Sequence, residues 1–155
     1  MAGGTLILHG EIGGGKTRLA GEWARVQAEA GRRVGGVLAL KSRQGRRFHD
    51  LWTGDETPKE PVADGEPAVE IGRFRFRKAA FDWAEARVRQ AVASGAEAVV
   101  IDEVGPLEMR GEGFAALIDD VPEPVRLVLL VRTGLEAAAA ARFGRGEIAF
   151  EPHLD

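Results

Sequence analysis

The chain has 155 residues, 45% of them hydrophobic, and a formal net charge of -3, which suits one closed core and excludes the general basic field that attracts nucleic acid or an anionic membrane. It contains no cysteine, which excludes disulfides, thiolate metal sites and thiol nucleophiles. No apolar run approaches the roughly 20 residues of a membrane-spanning helix, so the expectation is an unprocessed cytoplasmic protein, monomeric or weakly oligomeric.

Thr5 to His9 reads as a short buried strand and Val34 to Leu40 as a second. The helix between them is expected to turn Leu19, Trp23, Val26 and Ala30 inward and to close at Gly31. From Ser42 onward "RRFHDLWTG" gives way to "DETPKEPVADGEP", so residues 42–70 are expected to form a hairpin or flap and then an exposed loop, all within a single domain spanning 1–155. "AVEIGRFRF" alternates as a half-buried strand would. Phe74 and Phe76 are assigned to its core side and Arg73, Arg75 and Arg77 to water, the alternative being a base-stacking surface. A long helix with Phe81, Ala84, Val88 and Ala91 inward ends at Gly95. "AEAVVIDEVG" is a buried strand ending in two acids, Phe114, Leu117 and Ile118 mark a short helix, and "VRLVLLVR" is the next strand. An alanine-rich helix from Leu135 to Arg142 and an edge strand, "EIAF", complete the series. Apolar strands alternating with helices predict an α/β fold of three layers, αβα, with a mainly parallel sheet covered on both faces. In such sheets the ligand crevice lies beyond the carboxyl ends of the strands.

The first strand runs into "GEIGGGKT", which fits the phosphate-loop pattern G-x-x-x-x-G-K-[ST] at a strand-to-helix junction. Glycines let backbone N–H groups turn around a triphosphate, and the helix N-terminus adds the positive end of its dipole. The nucleotide-binding set is therefore Gly10, Glu11, Ile12, Gly13, Gly14, Gly15, Lys16, Thr17 and Arg18, with Lys16 reaching the β- and γ-phosphates and Thr17 offering its hydroxyl to Mg²⁺. The metal also needs a carboxylate from a neighbouring strand. Asp102 is placed to supply it, and Glu103 beside it to orient and deprotonate the attacking water. Asp102 to Gly105 also reads as the D-x-x-G of switch GTPases, but no N/T-K-x-D base reader exists in the chain.

"GEIGGGKT", "GRRFHDLWTG", "IGRFRF" before a helix and "VVIDEVGPLEM", in this order and spacing, resemble the small P-loop nucleoside-triphosphatases to which the cancer-related nucleoside-triphosphatase belongs. The resemblance spans about Thr5 to Arg132 and implies a RecA-like α/β domain and slow Mg²⁺-dependent hydrolysis of ATP, GTP and other nucleoside triphosphates, with weak base selectivity. Carried over by motif, Gly13, Gly15, Lys16 and Thr17 bind phosphate and metal, Asp102 the metal and Glu103 the water, while Glu108 supports from behind. The chain departs from the family where "LKSRQG" replaces the frequent "T-x-E". Two other readings use the same scaffold: a small-molecule or nucleotide kinase whose acceptor rests on the segment after Ser42, and a nucleotide-dependent adaptor in cofactor biosynthesis.

Arg132 ends its strand facing the crevice and is the arginine expected to stabilise charge in phosphoryl transfer, against the alternative of a surface salt bridge. Arg43, Arg46, Arg47, Arg142 and Arg145 are read as solvated. Trp23, Trp83 and Phe81 are assigned to the core, and Trp52, at the expected flap tip, is the aromatic suspected of touching a base. His9, His49 and His153 lack partners at metal-ligand spacing.

Overall fold

The computed structural model describes residues 3–9 and 15–151. Strand β1 (Thr5–Leu8) leads through the phosphate-loop segment to helix α1 (Lys16–Glu29), followed by β2 (Val34–Ser42), β3 (Gly45–Asp50) and β4 (Glu56–Pro58). A small hairpin of β5 (Ala68–Ile71) and β6 (Phe74–Arg77) precedes helix α2 (Lys78–Ala93). After β7 (Ala98–Val104) come the short helices α3 (Pro106–Met109) and α4 (Ala115–Asp120), then β8 (Arg126–Val131), α5 (Glu136–Phe143) and β9 (Ile148–Glu151). The large sheet has the order β4-β3-β2-β7-β8-β1-β9, parallel from β2 to β9, with β3 antiparallel to β2 and β4 antiparallel to β3. Among the described residues no helix is long and apolar enough to cross a membrane.

Side chains alternate across the parallel strands and so build a core on each face. Leu6, Leu8, Val34, Leu38, Val100, Val128 and Leu130 meet α1, whereas Ile7, Val37, Val99, Ile101, Leu127 and Leu129 meet α2 and the helices that follow. The α1 face differs from the expected one. Ala20, Trp23, Ala24 and Gln27 are buried, while Val26 is 51% exposed and Ala30 lies at the surface. A pattern weighted towards bulky residues misplaces this stripe, because small alanines bring the helix close to the sheet. Both long helices end as expected. The N–H groups of Gly31 and Arg32 bond back to Ala28 and Gln27, and those of Gly95 and Ala96 to Val92 and Ala91, with both glycines at positive φ.

Gly36 is required for another reason: at φ 123 it lies so close to β7 that a Cβ there would sit 2.1 Å from the Val100 carbonyl oxygen. The segment 42–70 contributes β3 and β4 to the main sheet, and the β2–β3 hairpin turns at Arg43–Gln44. Its later part is not uniformly exposed, since Lys59 is only 8% accessible and its backbone N–H bonds to the Arg46 carbonyl. Peptide bonds Glu60–Pro61 and Asp102–Glu103 are cis.

Candidate functional site

Because β8 lies between β1 and β7, their carboxyl ends form one edge, with the end of β1 on one side of β8 and the paired acids at the end of β7 on the other. Gly10, Glu11, Ile12, Gly13 and Gly14 lie outside the described residues. Gly15 caps α1 at φ 83, a left-handed conformation that a side chain disfavours, and as a glycine it offers no capping side chain to the first-turn N–H groups. The N–H groups of a helix's first turn point to the end where a phosphate would sit. Lys16 begins α1 and extends its ammonium 2.9 Å from the Val131 carbonyl, at the end of β8. Arg18 is exposed on the same turn.

Thr17 donates its hydroxyl to Asp102 Oδ2 at 2.7 Å, and the same oxygen accepts the Ala39 N–H at 2.9 Å. Burial pushes the Asp102 carboxyl up to about 6, against the opposing effect of these two hydrogen bonds; Glu103 raises it further and Lys59 lowers it. A hydroxyl and a carboxylate in contact form an all-oxygen donor pair suited to a hard divalent cation. Among the described residues no group of three or more acids and histidines could hold a metal by itself. Thr17 and Asp102 are the oxygens that could hold Mg²⁺, which takes one or two protein oxygens together with water and substrate phosphates.

Glu103 is half-buried, and its Oε1 accepts from Arg132 Nη2 at 2.9 Å. Arg132 thus reaches the crevice and forms a salt bridge there. Glu108 lies behind this pair, 3% exposed, accepting the Gly105 N–H at 2.9 Å through one oxygen and the Phe114 N–H at 3.0 Å through the other. Burial raises its pKa despite both bonds. It holds the turn after β7 to the turn before α4, a structural role beneath the acids.

Other candidates lie elsewhere. Trp52 sits beyond β3, its ring 3.9 Å from where a Cβ on Gly35 would be, so it packs near the start of β2, away from Asp102. Arg142 pairs with Asp119 at 2.7 Å, Arg47 with Glu56 at 3.2 Å, and Arg145 binds the Val121, Pro122 and Val125 carbonyls. His49 contacts Glu56 at 2.8 Å. Phe76 is buried and Phe74 half-buried, stacked at 5.9 Å between centroids, with Arg73 and Arg75 exposed.

The structure adds a feature that sequence reasoning missed. A cavity of about 340 Å³ opens beside Thr17, Asp102, Glu103 and Arg132 and runs under β2 and β3. Phe48, Phe81 and Phe114 pack at its floor with centroids 5.1, 5.7 and 5.4 Å apart, contacts worth about 0.5–1.5 kcal/mol each beyond area burial. The Lys59 ammonium lies over these rings, 4.3 Å from Phe76, 4.6 Å from Phe48 and 5.9 Å from Phe81. Burial lowers its pKa, while Asp102 and Glu103 oppose the shift. No local pattern marks Lys59 as buried, because it stands between a proline and an acid in turn-like sequence.

The fold and this edge define a three-layer P-loop nucleotide-binding protein with a mostly parallel sheet. The NTPase family profile matches residues 5–144, and the chain belongs to that family of nucleoside-triphosphatases. Among its relatives, nucleoside-triphosphatase THEP1 of Methanocaldococcus jannaschii is 27% identical over 121 residues, covering 75% of this chain and 70% of the relative. THEP1 of Thermofilum pendens is 26% identical over 156 residues, covering 96% and 85%. Similar solved folds are THEP1 from Aquifex aeolicus, with TM-score 0.65, 18% identity and coverage of 94% of this chain and 87% of that one, and a human cancer-related nucleoside triphosphatase, with TM-score 0.64, 16% identity and coverage of 97% and 87%.

Proposed function

We propose that the chain hydrolyses the γ-phosphate of ATP, GTP and other nucleoside triphosphates in a Mg²⁺-dependent reaction with weak base selectivity, in a cytoplasmic setting. The convergence of Lys16, Thr17, Asp102, Glu103 and Arg132 on one sheet edge carries this reading. The phosphate-loop segment 10–15 and the first-turn N–H groups of α1 bind the phosphates, and Lys16 balances their charge. Thr17 and Asp102 would hold Mg²⁺, which when bound supplies positive charge to the β- and γ-phosphates. Glu103 accepts a proton from water as the water oxygen bonds to the γ-phosphorus. The bond to the bridging oxygen breaks and its electron pair leaves with the nucleoside diphosphate. Arg132, fixed by Glu103, faces the charge that develops.

Phosphate release from ATP, GTP, CTP and UTP, with and without Mg²⁺, tests the reading. Glu103→Gln should retain nucleotide affinity and lose at least about 100-fold in kcat, the usual scale for a general base. Turnover undiminished in that variant refutes the assignment of Glu103.

A further inference from the structure

We propose that the cavity between β7 and the β2–β3 hairpin binds a second substrate, a small molecule with an aromatic ring, an anionic group and a hydroxyl that accepts the γ-phosphoryl group. The proposal rests on the nucleotide reading above, which directs the terminal phosphate towards Thr17 and Asp102. The cavity begins at those residues and extends towards β2, β3 and β6, and none of its described lining residues belongs to β1. An occupant of this cavity would therefore lie beside Thr17, Asp102 and Glu103, next to the proposed place of the terminal phosphate.

Its walls state the chemistry of the occupant. Phe48, Phe74, Phe76, Phe81 and Phe114 offer aromatic faces, and about 340 Å³ falls at the lower end of the ~300–1,000 Å³ of small-molecule pockets, room for one substituted ring. Water alone would need no such walls. Arg132 is engaged by Glu103 and Arg46 by Glu60 at 3.3 Å. Lys59 is buried at 8% exposure with its ammonium over aromatic rings; Asp102, Glu103 and Glu60 act on it electrostatically, but among the described residues none forms an ion pair with it. A buried cation without a paired anion is costly, and an anionic ligand group would compensate it. Glu103 lines the same space and would take the acceptor's proton. In that step the hydroxyl oxygen bonds to the γ-phosphorus, the bond to the bridging oxygen breaks, and a phosphate ester and a nucleoside diphosphate result.

Calorimetric titration of the full chain, saturated with Mg²⁺ and a non-hydrolysable ATP analogue, tests the site with 4-(hydroxymethyl)benzoate and its neutral counterpart 4-methylbenzyl alcohol. The carboxylate should bind with one-to-one stoichiometry and at least about tenfold more tightly, a difference of about 1.4 kcal/mol. Lys59→Met, which fills the same space against the rings, should abolish that preference. Phe74→Ala, at the cavity wall, should weaken both probes alike and serves if the methionine variant does not fold. With Mg²⁺ and ATP, mass spectrometry should detect the phosphorylated probe.

Absence of saturable binding, equal affinity for the two probes, a preference that survives Lys59→Met, or competition between probe and nucleotide overturns the proposal. A bound probe that stays unphosphorylated refutes the acceptor role. Phosphate release without probe, measured on the same preparation, separates the two readings. Hydrolysis without probe binding sinks the cavity proposal alone, and failure to bind nucleotide sinks both.

Discussion

Replacing Glu108 with glutamine tests whether the turn beneath Asp102 and Glu103 is held by one buried carboxylate. Each Glu108 oxygen accepts a different backbone N–H, from Gly105 at 2.9 Å and from Phe114 at 3.0 Å. Glutamine keeps one accepting oxygen and turns an amide NH₂ towards the other donor, so one buried N–H loses its partner. Such a loss costs about 1–3 kcal/mol. In a domain of this size each kcal/mol moves Tm by about 2–4 °C, which predicts a fall of about 2–12 °C. The deficit should also depend on pH. Burial raises the folded-state pKa of Glu108 above 4.5, so between 4.5 and that value the native state holds more protons than the unfolded chain. Native stability therefore falls as pH rises through this window, while the glutamine variant lacks the slope. The deficit should be larger at about pH 4 than at about pH 8, measured by calorimetry on both proteins. An unchanged Tm, or a deficit that grows towards alkaline pH, refutes the argument.

Arg132→Ala should lower turnover by at least about tenfold while costing less than about 1 kcal/mol in stability, because its ion pair with Glu103 is more than a third exposed. Phosphate release and urea unfolding together check this, and unchanged kcat would remove Arg132 from the mechanism. Lys59 gives a pH effect of defined sign. Its folded-state pKa lies below 10.5, so the unfolded chain binds more protons in the window between them and native stability gains as pH rises through it. The stability of the native chain minus that of Lys59→Met should therefore increase from about pH 8 to about pH 10 in urea unfolding, and a flat or falling difference contradicts the buried ammonium. Gly36→Ala should cost more than about 3 kcal/mol, since it combines a disfavoured φ with a clash against Val100; a loss below about 1 kcal/mol would show that β2 and β7 can separate easily.

What was legible in the sequence was local. Lys16 and Thr17 follow a strand within a few residues, and the run ending at Asp102 and Glu103 carries its strand and its acids together, so order along the chain conveyed their placement. The Gly31 and Gly95 helix ends were legible for the same reason. The missed features depend on partners far along the chain. Lys59 is held by the Arg46 carbonyl and set against phenylalanines from β3, β6 and α2. Trp52 follows the β3–β4 turn to the start of β2, which no spacing within "RRFHDLWTG" reveals. The inward face of α1 was misplaced because close packing on the sheet selected alanines over Val26.

Asp102 accepts the Thr17 hydroxyl and the Ala39 N–H on one oxygen, and so ties α1, β2 and β7 together at one point. The proposed metal ligand is thereby also a keystone of the architecture. A variant lacking this carboxylate loses chemistry and scaffold at once, and its inactivity would not distinguish them. Glu103, whose side chain reaches out to Arg132 across a partly open edge, would provide the cleaner inactive control, and a trapped nucleotide complex is better sought there.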